Sequence, residues 1–167
     1  EIGSLVTKEQ LVISIVAGIH TSQIASRLKT AAPVVRTMPN TPALIGLGIT
    51  GIYAPINCNF TQRALTQNLM ESAGEVVWLE RENLLDVVTA LSGSGPAYIY
   101  YLVEELRNAG TRLGLPADVA ARLALYTAYG ASSMAVQSDG DIVELRKRVT
   151  TVGGTTQAAI ETFEAGH

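Results

Sequence analysis

The sequence has one cysteine, Cys58, and therefore no internal disulfide. Its two histidines, His20 and His167, stand far apart in the chain, which with Cys58 makes a poor metal set; none is expected. A lone thiol fits a reducing, cytoplasm-like compartment. Aromatic residues make up only 5% and charged residues 16%. The few basic residues are scattered, with no stripe to neutralise phosphates, which excludes a nucleic-acid binder. No run of about 18 apolar residues occurs, which argues against a membrane span. Initiator methionine and basic leader are both lacking; the opening Glu1-Ile2-Gly3 reads as a cut or proteolysed end.

What is present is apolar and small-sided. Hydrophobic residues reach 47% of 167, led by Ala, Leu, Val and Ile, with 15 glycines. That balance favours packed helices and parallel strands and allows one domain, or one plus part of another.

The first 80 residues alternate. Leu11 to Val16 is a β-branched run suited to a strand covered on both faces of a parallel sheet. Thr21 caps a predicted helix through Leu28, with Ile24, Ala25 and Leu28 on one face. Strands follow at Pro33 to Met38 and Ile49 to Ala54. Thr61 opens a helix that Gly74 ends, and Glu75 to Leu79 is a last strand carrying Trp78. After Leu79 only helical patterns remain: Glu82 to Leu91, then Pro96 to Leu113 with Ile99, Leu102, Val103, Leu106 and Ala109 as its stripe. The next, Ala117 to Gln137, is apolar nearly all round, the mark of a helix shared with a partner or deeply buried. Asp141 to Arg148 and a helix from Thr155 complete the pattern. The expected fold is α/β followed by all-α: an incomplete Rossmann-like sheet over residues 1–85, then a helical dimerisation bundle over 86–167.

Three stretches do not read as ordinary core. Met38-Pro39-Asn40-Thr41-Pro42 closes a strand, and ligands of open α/β sheets bind beyond the carboxyl ends of strands. The plainer reading is a turn. Ser92-Gly93-Ser94-Gly95-Pro96 precedes a helix and offers an anion cradle, or simply capping and close packing. Val152-Gly153-Gly154-Thr155-Thr156 combines backbone N–H groups with two hydroxyls that suit a carboxylate and a reacting atom; the alternative is a glycine loop with a threonine cap. It is neither a Walker loop, lacking lysine, nor a dinucleotide fingerprint, since no strand leads into it. His20 and His167 support no Ser/His/Asp set, and Glu104-Glu105 and Glu161/Glu164 read as solvated faces.

In order, ISIVAG (Ile13 to Gly18), VVRTMPNTPALIGLGIT (Val34 to Thr50), LSGSGPAY (Leu91 to Tyr98), GLP (Gly114 to Pro116) and LRKRVTTVGGTT (Leu145 to Thr156) resemble pyrroline-5-carboxylate reductase over nearly the whole chain. The resemblance implies reduction of 1-pyrroline-5-carboxylate to proline with hydride from NADPH or NADH, by a homodimer joined through its helical domain. It implies that Val149, Gly153, Gly154, Thr155 and Thr156 hold the substrate, with Thr156 as proton donor to the ring nitrogen. It places Ala17, Gly18, Met38, Pro39 and Asn40 near the nicotinamide half of the cofactor, and makes Ser92 to Pro96 an active-site loop. Two departures stand out: the family's leading strand and glycine fingerprint do not occur in the sequence, and Val152 replaces the usual proline before the double glycine, which loosens that loop. Two other readings stay open. A different two-domain reductase would need a lysine base, and Lys147 is the only lysine after residue 92. A non-catalytic dimerising fragment would explain the same motifs; half a sheet without a pyrophosphate loop is expected to bind cofactor poorly and to be inactive alone.

Overall fold

The computed structural model describes residues 2–138 and 141–166, so Glu1 and His167, both weighed above, lie outside it. Two compact units emerge, Glu1–Tyr100 and Tyr101–His167.

The first unit is a four-stranded sheet in the order β1 (Val12–Ser14), β2 (Val34–Met38), β3 (Gly48–Tyr53), β4 (Gly74–Trp78). β1 and β2 run parallel, as do β3 and β4, but β2 and β3 are antiparallel, pairing Arg36 with Tyr53 and Met38 with Gly51. The all-parallel expectation fails for a reason of length. Only residues 39–47 join β2 to β3, nine in all, and a parallel crossover needs a dozen or more. The other two connections carry helices α1 (Thr21–Ala25) and α2 (Phe60–Glu71), and those strand pairs are parallel.

Several boundaries differ from expectation. β1 stops at Ser14 because Arg36 is its last partner on β2; Ile15 and Val16 emerge exposed, so the run is not covered on both faces. α1 ends at Ala25, and its start is His20, whose N–H donates to Gln23 Oε1 at 2.8 Å. α2 is capped by Asn59 rather than Thr61. Asn59 Oδ1 accepts from the Gln62 N–H at 2.9 Å while Gln62 Oε1 accepts from the Asn59 N–H at 3.0 Å, a reciprocal pairing that Thr61 has no partner to match. α2 ends before Ser72, so Gly74 opens β4 instead of closing the helix. The core packs Val35, Ile52, Ala54 and Cys58 against Leu11, Met70, Val76 and Trp78. Trp78 is fixed on both sides: its Nε1 donates to Gln67 Oε1 at 3.1 Å, and the Arg63 guanidinium lies 5.4 Å from its ring centre.

Beyond β4, α3 (Leu84–Val88) packs on β2 and β3 and passes into a π-helical turn, Thr89–Gly93. α4 (Gly95–Arg112) follows, ended by Gly114 at φ +103°. In the second unit α5 (Ala117–Gln137) meets the end of α4 through small residues: Ala120 Cβ lies 3.2 Å from where a Cβ on Gly110 would stand. Ala120 and Ala124 are the buried residues of α5. Leu123, Leu125, Tyr126, Tyr129 and Met134 are all more than half exposed. α6 (Ile142–Arg148) is capped by Asp141, whose carboxylate accepts from the Val143 N–H at 2.9 Å, and α7 (Thr155–Ala165) ends the description. Among the described residues no helix is long and apolar enough to cross a membrane.

Candidate active site

Parallel pairing sets Ser14 beside Arg36, so the chain leaves β1 and β2 on the same edge of the sheet. Beyond β1 come Ile15 and Val16, then Ala17-Gly18. Gly18 has φ +72°, and no atom lies within 4 Å of where a Cβ would stand. This is a turn with an open, approachable backbone. β2 ends at Met38, and Pro39 and Asn40 follow. Asn40 Oδ1 accepts from the Ile49 N–H at 3.0 Å, which closes the short 3-10 turn Thr41–Ile45 onto β3. Half of the Asn40 carboxamide thus serves the turn. Its Nδ2 has no protein partner among the described residues.

The second stretch joins the first. A Cβ on Gly93 would lie 2.7 Å from Met38 Cε, so Met38 occupies the space that Gly93 leaves. Ser92 to Ser94 are not a free loop. Ser92 Oγ donates to the Val88 carbonyl at 3.1 Å, the Ser94 N–H to Thr89 at 2.8 Å, and the Ala97 N–H to Ser94 at 3.0 Å. The hydroxyl and these amides are thereby engaged by the chain itself. Gly95 keeps open space around it, and Pro96 sits in the first turn of α4.

A charged cluster at this edge escaped the sequence reading. Arg36, with only 3% of its side chain exposed, donates to Glu82 Oε1 at 3.1 Å and lies 3.8 Å from Asp86. Glu82 also accepts from the Thr21 N–H at 2.6 Å and the Thr21 hydroxyl at 3.0 Å, and His20 Nδ1 is 3.6 Å away. Burial pushes the Glu82 carboxyl up, but the Thr21 amide, the Arg36 guanidinium and the Thr21 hydroxyl together outweigh it, holding the group below its ordinary value. The signal was in the sequence: an arginine in the middle of the apolar strand Val34-Val35-Arg36-Thr37-Met38 must find an anion once buried.

In the second unit, α6 ends at Arg148, the exposed Val149 follows, and the loop runs through Val152 to Gly153 at φ +72°. The Gly153 N–H donates to Gln157 Oε1 at 2.7 Å, and Gln157 Nε2 donates to Glu161 at 2.7 Å. The Gly154 N–H donates to the Thr151 carbonyl at 3.0 Å. Thr155 and Thr156 begin α7 exposed, and neither hydroxyl makes a hydrogen bond among the described residues. Gln157 is the residue the sequence reading overlooked here. Its position one turn beyond Gly153 was the available clue.

The other reactive side chains are occupied or buried. Cys58 is 4% exposed, and burial raises its thiol against the opposing charge of Arg63. Lys147 is solvated and paired with Glu144 at 2.7 Å, so it makes no base. Glu164 pairs with Arg146 at 3.3 Å on the surface.

The family model described as pyrroline-5-carboxylate reductase dimerisation matches residues 82–167, more than half of the sequence. The chain belongs to the pyrroline-5-carboxylate reductase family. A relative from Pseudomonas aeruginosa named pyrroline-5-carboxylate reductase is 46% identical over 157 residues, covering 94% of this chain and 58% of its own. One of the same name from Haemophilus influenzae is 37% identical over 160 residues, covering 95% and 59%. The solved structure of the Coxiella burnetii pyrroline-5-carboxylate reductase superposes with a TM-score of 0.86 at 40% identity, over 93% of this chain and 58% of that one. The Plasmodium falciparum pyrroline carboxylate reductase, solved with NADP bound, gives 0.85 at 30% identity, over 94% and 63%. The chain's four-stranded partial sheet followed by helices thus matches the corresponding part of these structures. The chain spans somewhat under three fifths of the length of the curated relatives it matches.

Proposed function

We propose that the protein carrying this chain reduces 1-pyrroline-5-carboxylate to proline with NADPH or NADH. The observation that carries the reading is the 46% identity to the Pseudomonas aeruginosa relative across 94% of the chain. It is supported by the NADP bound to the Plasmodium falciparum structure. In this reading residues 1–85 belong to the cofactor domain and 86–167 to a helical domain that binds substrate and dimerises. The assembly is a homodimer through α4 and α5, in line with the exposed apolar side chains of α5. A cytoplasmic location suits a chain whose one cysteine is a buried free thiol.

The sheet edge fits a nicotinamide cofactor. Gly18 leaves open space over its backbone, Ile15 and Val16 offer exposed apolar surface, and the Asn40 Nδ2 is a donor without a protein partner among the described residues. Ala17, Gly18, Met38, Pro39 and Asn40 would hold it, with Ser92 to Pro96 behind Met38. The cofactor, when bound, supplies the hydride.

The protein's own residues have two tasks. Val149, Gly153, Gly154, Thr155 and Thr156 orient the substrate, its carboxylate lying on the loop amides. For the Gly153 N–H that requires displacing Gln157 Oε1. Thr156 Oγ then serves the ring nitrogen. As the imine carbon gains hydride, the C=N electron pair moves to nitrogen and takes the proton of the Thr156 hydroxyl, which the exposed Thr156 Oγ regains from solvent. A hydroxyl without another protein partner is suited to that role, and no strong base is required.

The test is purified full-length protein with pyrroline-5-carboxylate and NADPH or NADH, followed by cofactor oxidation and proline formation. Stoichiometric proline is expected. A folded protein that oxidises neither cofactor overturns the reading.

A further inference from the structure

We propose that Glu82 is a positioning residue for the dinucleotide, fastening together the two chain segments that face it; this rests on the cofactor reading of the sheet edge. The segments are the Ala17-Gly18 turn after β1 and Met38-Pro39-Asn40 at the end of β2. The pairing between β1 and β2 ends at Ser14 and Arg36, so no ladder bond joins the two segments to each other, although Met38 still pairs with Gly51 of β3. Apart from the 3.4 Å bond from the Thr37 hydroxyl to the Ser14 carbonyl at the strand ends, what joins them is one carboxylate. Through Thr21, three residues after Gly18, Glu82 holds the turn by a backbone bond of 2.6 Å and a hydroxyl bond of 3.0 Å. Through Arg36, two residues before Met38, it holds β2 by a bond of 3.1 Å. Both oxygens are used, and both anchors lie close in sequence to the groups that would meet the cofactor.

The chemistry favours a rigid tie. The Arg36 side chain is almost wholly buried and the Glu82 side chain is 18% exposed, so their attraction is little screened by solvent. The remaining charged or titratable neighbours are Asp86, 3.8 Å from Arg36 and largely exposed, and His20, 3.6 Å from Glu82 and half exposed. Asp86 reaches Arg36 but has no recorded bond to the turn, so it cannot replace Glu82 as the bridge. Without the bridge the Gly18 turn would move relative to Met38, which β3 and Gly93 still hold, and a ligand touching both would have to order the turn on binding.

The experiment is NADPH titration calorimetry on the full-length protein and on the variants Glu82→Gln and Thr21→Val, with KM for pyrroline-5-carboxylate measured alongside. Glu82→Gln removes the charge that holds Arg36. Thr21→Val removes only the hydroxyl bond and keeps the shape, so it remains informative if Glu82→Gln does not fold. The expected result is a Kd for NADPH raised roughly tenfold by Glu82→Gln and about threefold by Thr21→Val, with KM for pyrroline-5-carboxylate moved less than about twofold. A merely structural role would lower Tm and leave Kd in place; that result overturns the proposal while leaving the cofactor reading intact. Wild-type protein that binds no dinucleotide overturns both.

Discussion

Met38 Cε fills the place where a side chain on Gly93 would begin, 2.7 Å from the position of its Cβ. Two stretches 55 residues apart in sequence are thereby one packed unit, the methionine that ends β2 lying in the notch of the π-helical turn. The contact explains why a glycine is suited to a turn whose backbone is otherwise helical, with φ in the ordinary negative range.

Gly93→Ala is expected to cost about 1 kcal/mol, because the atom in its way is the mobile end of a side chain and can shift. In a Met38→Leu background, where no Cε remains, the same substitution is expected to cost at least about 0.5 kcal/mol less. Urea unfolding followed by the fluorescence of Trp78, the sole tryptophan, reads the first unit directly. Strict additivity of the two substitutions would show that the contact carries no energy.

The order of strands and helices was legible because period and punctuation agree: β-branched runs, then helices closed by glycine and proline. Strand direction was read as parallel, which fails for β2 and β3, although the nine-residue link after Met38 contained the answer. Gly74 was misplaced as a helix stop. It is a strand residue at φ +138° pressed against the Gly48 carbonyl oxygen, a clash for any Cβ that depends on two strands meeting and leaves no trace in either one alone. The same limit applies to the site. Gly18 was named only through the resemblance and the Gly153 loop as glycines before two threonines, whereas Glu82 looks like any acid before a helix until Arg36 is seen to be buried beside it.

That pair gives a pH dependence. The folded-state pKa of Glu82 is depressed, so its stabilisation is complete above the unfolded glutamate range, near pH 4.3, and is lost as pH falls through the lower folded value. At pH 7 Glu82→Gln is expected to destabilise the first unit by about 3 kcal/mol, leaving Arg36 with only the distant Asp86. As pH falls through that lower value the wild type protonates and the difference should shrink. Denaturation midpoints of the two proteins at pH 7, 5 and 3.5 check this; a gap that stays constant across the series would exclude the ion pair as its source.

The exposed apolar side chains of α5 bear on the proposed dimer. Leu125 and Tyr129 lie four residues apart, one helical turn, and both are more than half exposed. Leu125→Asp is expected to shift the protein to monomers at micromolar concentration, because a carboxylate placed in an apolar interface must be desolvated without a partner. Light scattering against the wild type decides it. A variant that stays dimeric, or a wild type that is a stable monomer, would remove α5 from the interface.

Thr156 and Gln157 divide the substrate loop between chemistry and geometry. The Thr156 hydroxyl has no other partner among the described residues, while Gln157 Oε1 occupies the Gly153 amide. If the hydroxyl assists the ring nitrogen, its contribution grows as hydride arrives, and the loss appears in kcat. Thr156→Ala is expected to lower kcat by roughly 10²-fold, the low end for proton donation, since an imine nitrogen already protonated in solution needs less help. Thr156→Ser keeps the hydroxyl and most of the rate. Thr155→Ala, at the same helix start, is expected to leave kcat nearly unchanged. Gln157→Ala acts on the other quantity: with its competitor gone, the Gly153 N–H is free for the substrate carboxylate, and KM is expected to fall up to about fivefold, the value of one such hydrogen bond. Steady-state kinetics on the four variants separate the roles. Should Thr156→Ala keep its kcat and raise only KM, Thr156 belongs with the carboxylate grip, and proton delivery must come from water or from an iminium formed before binding.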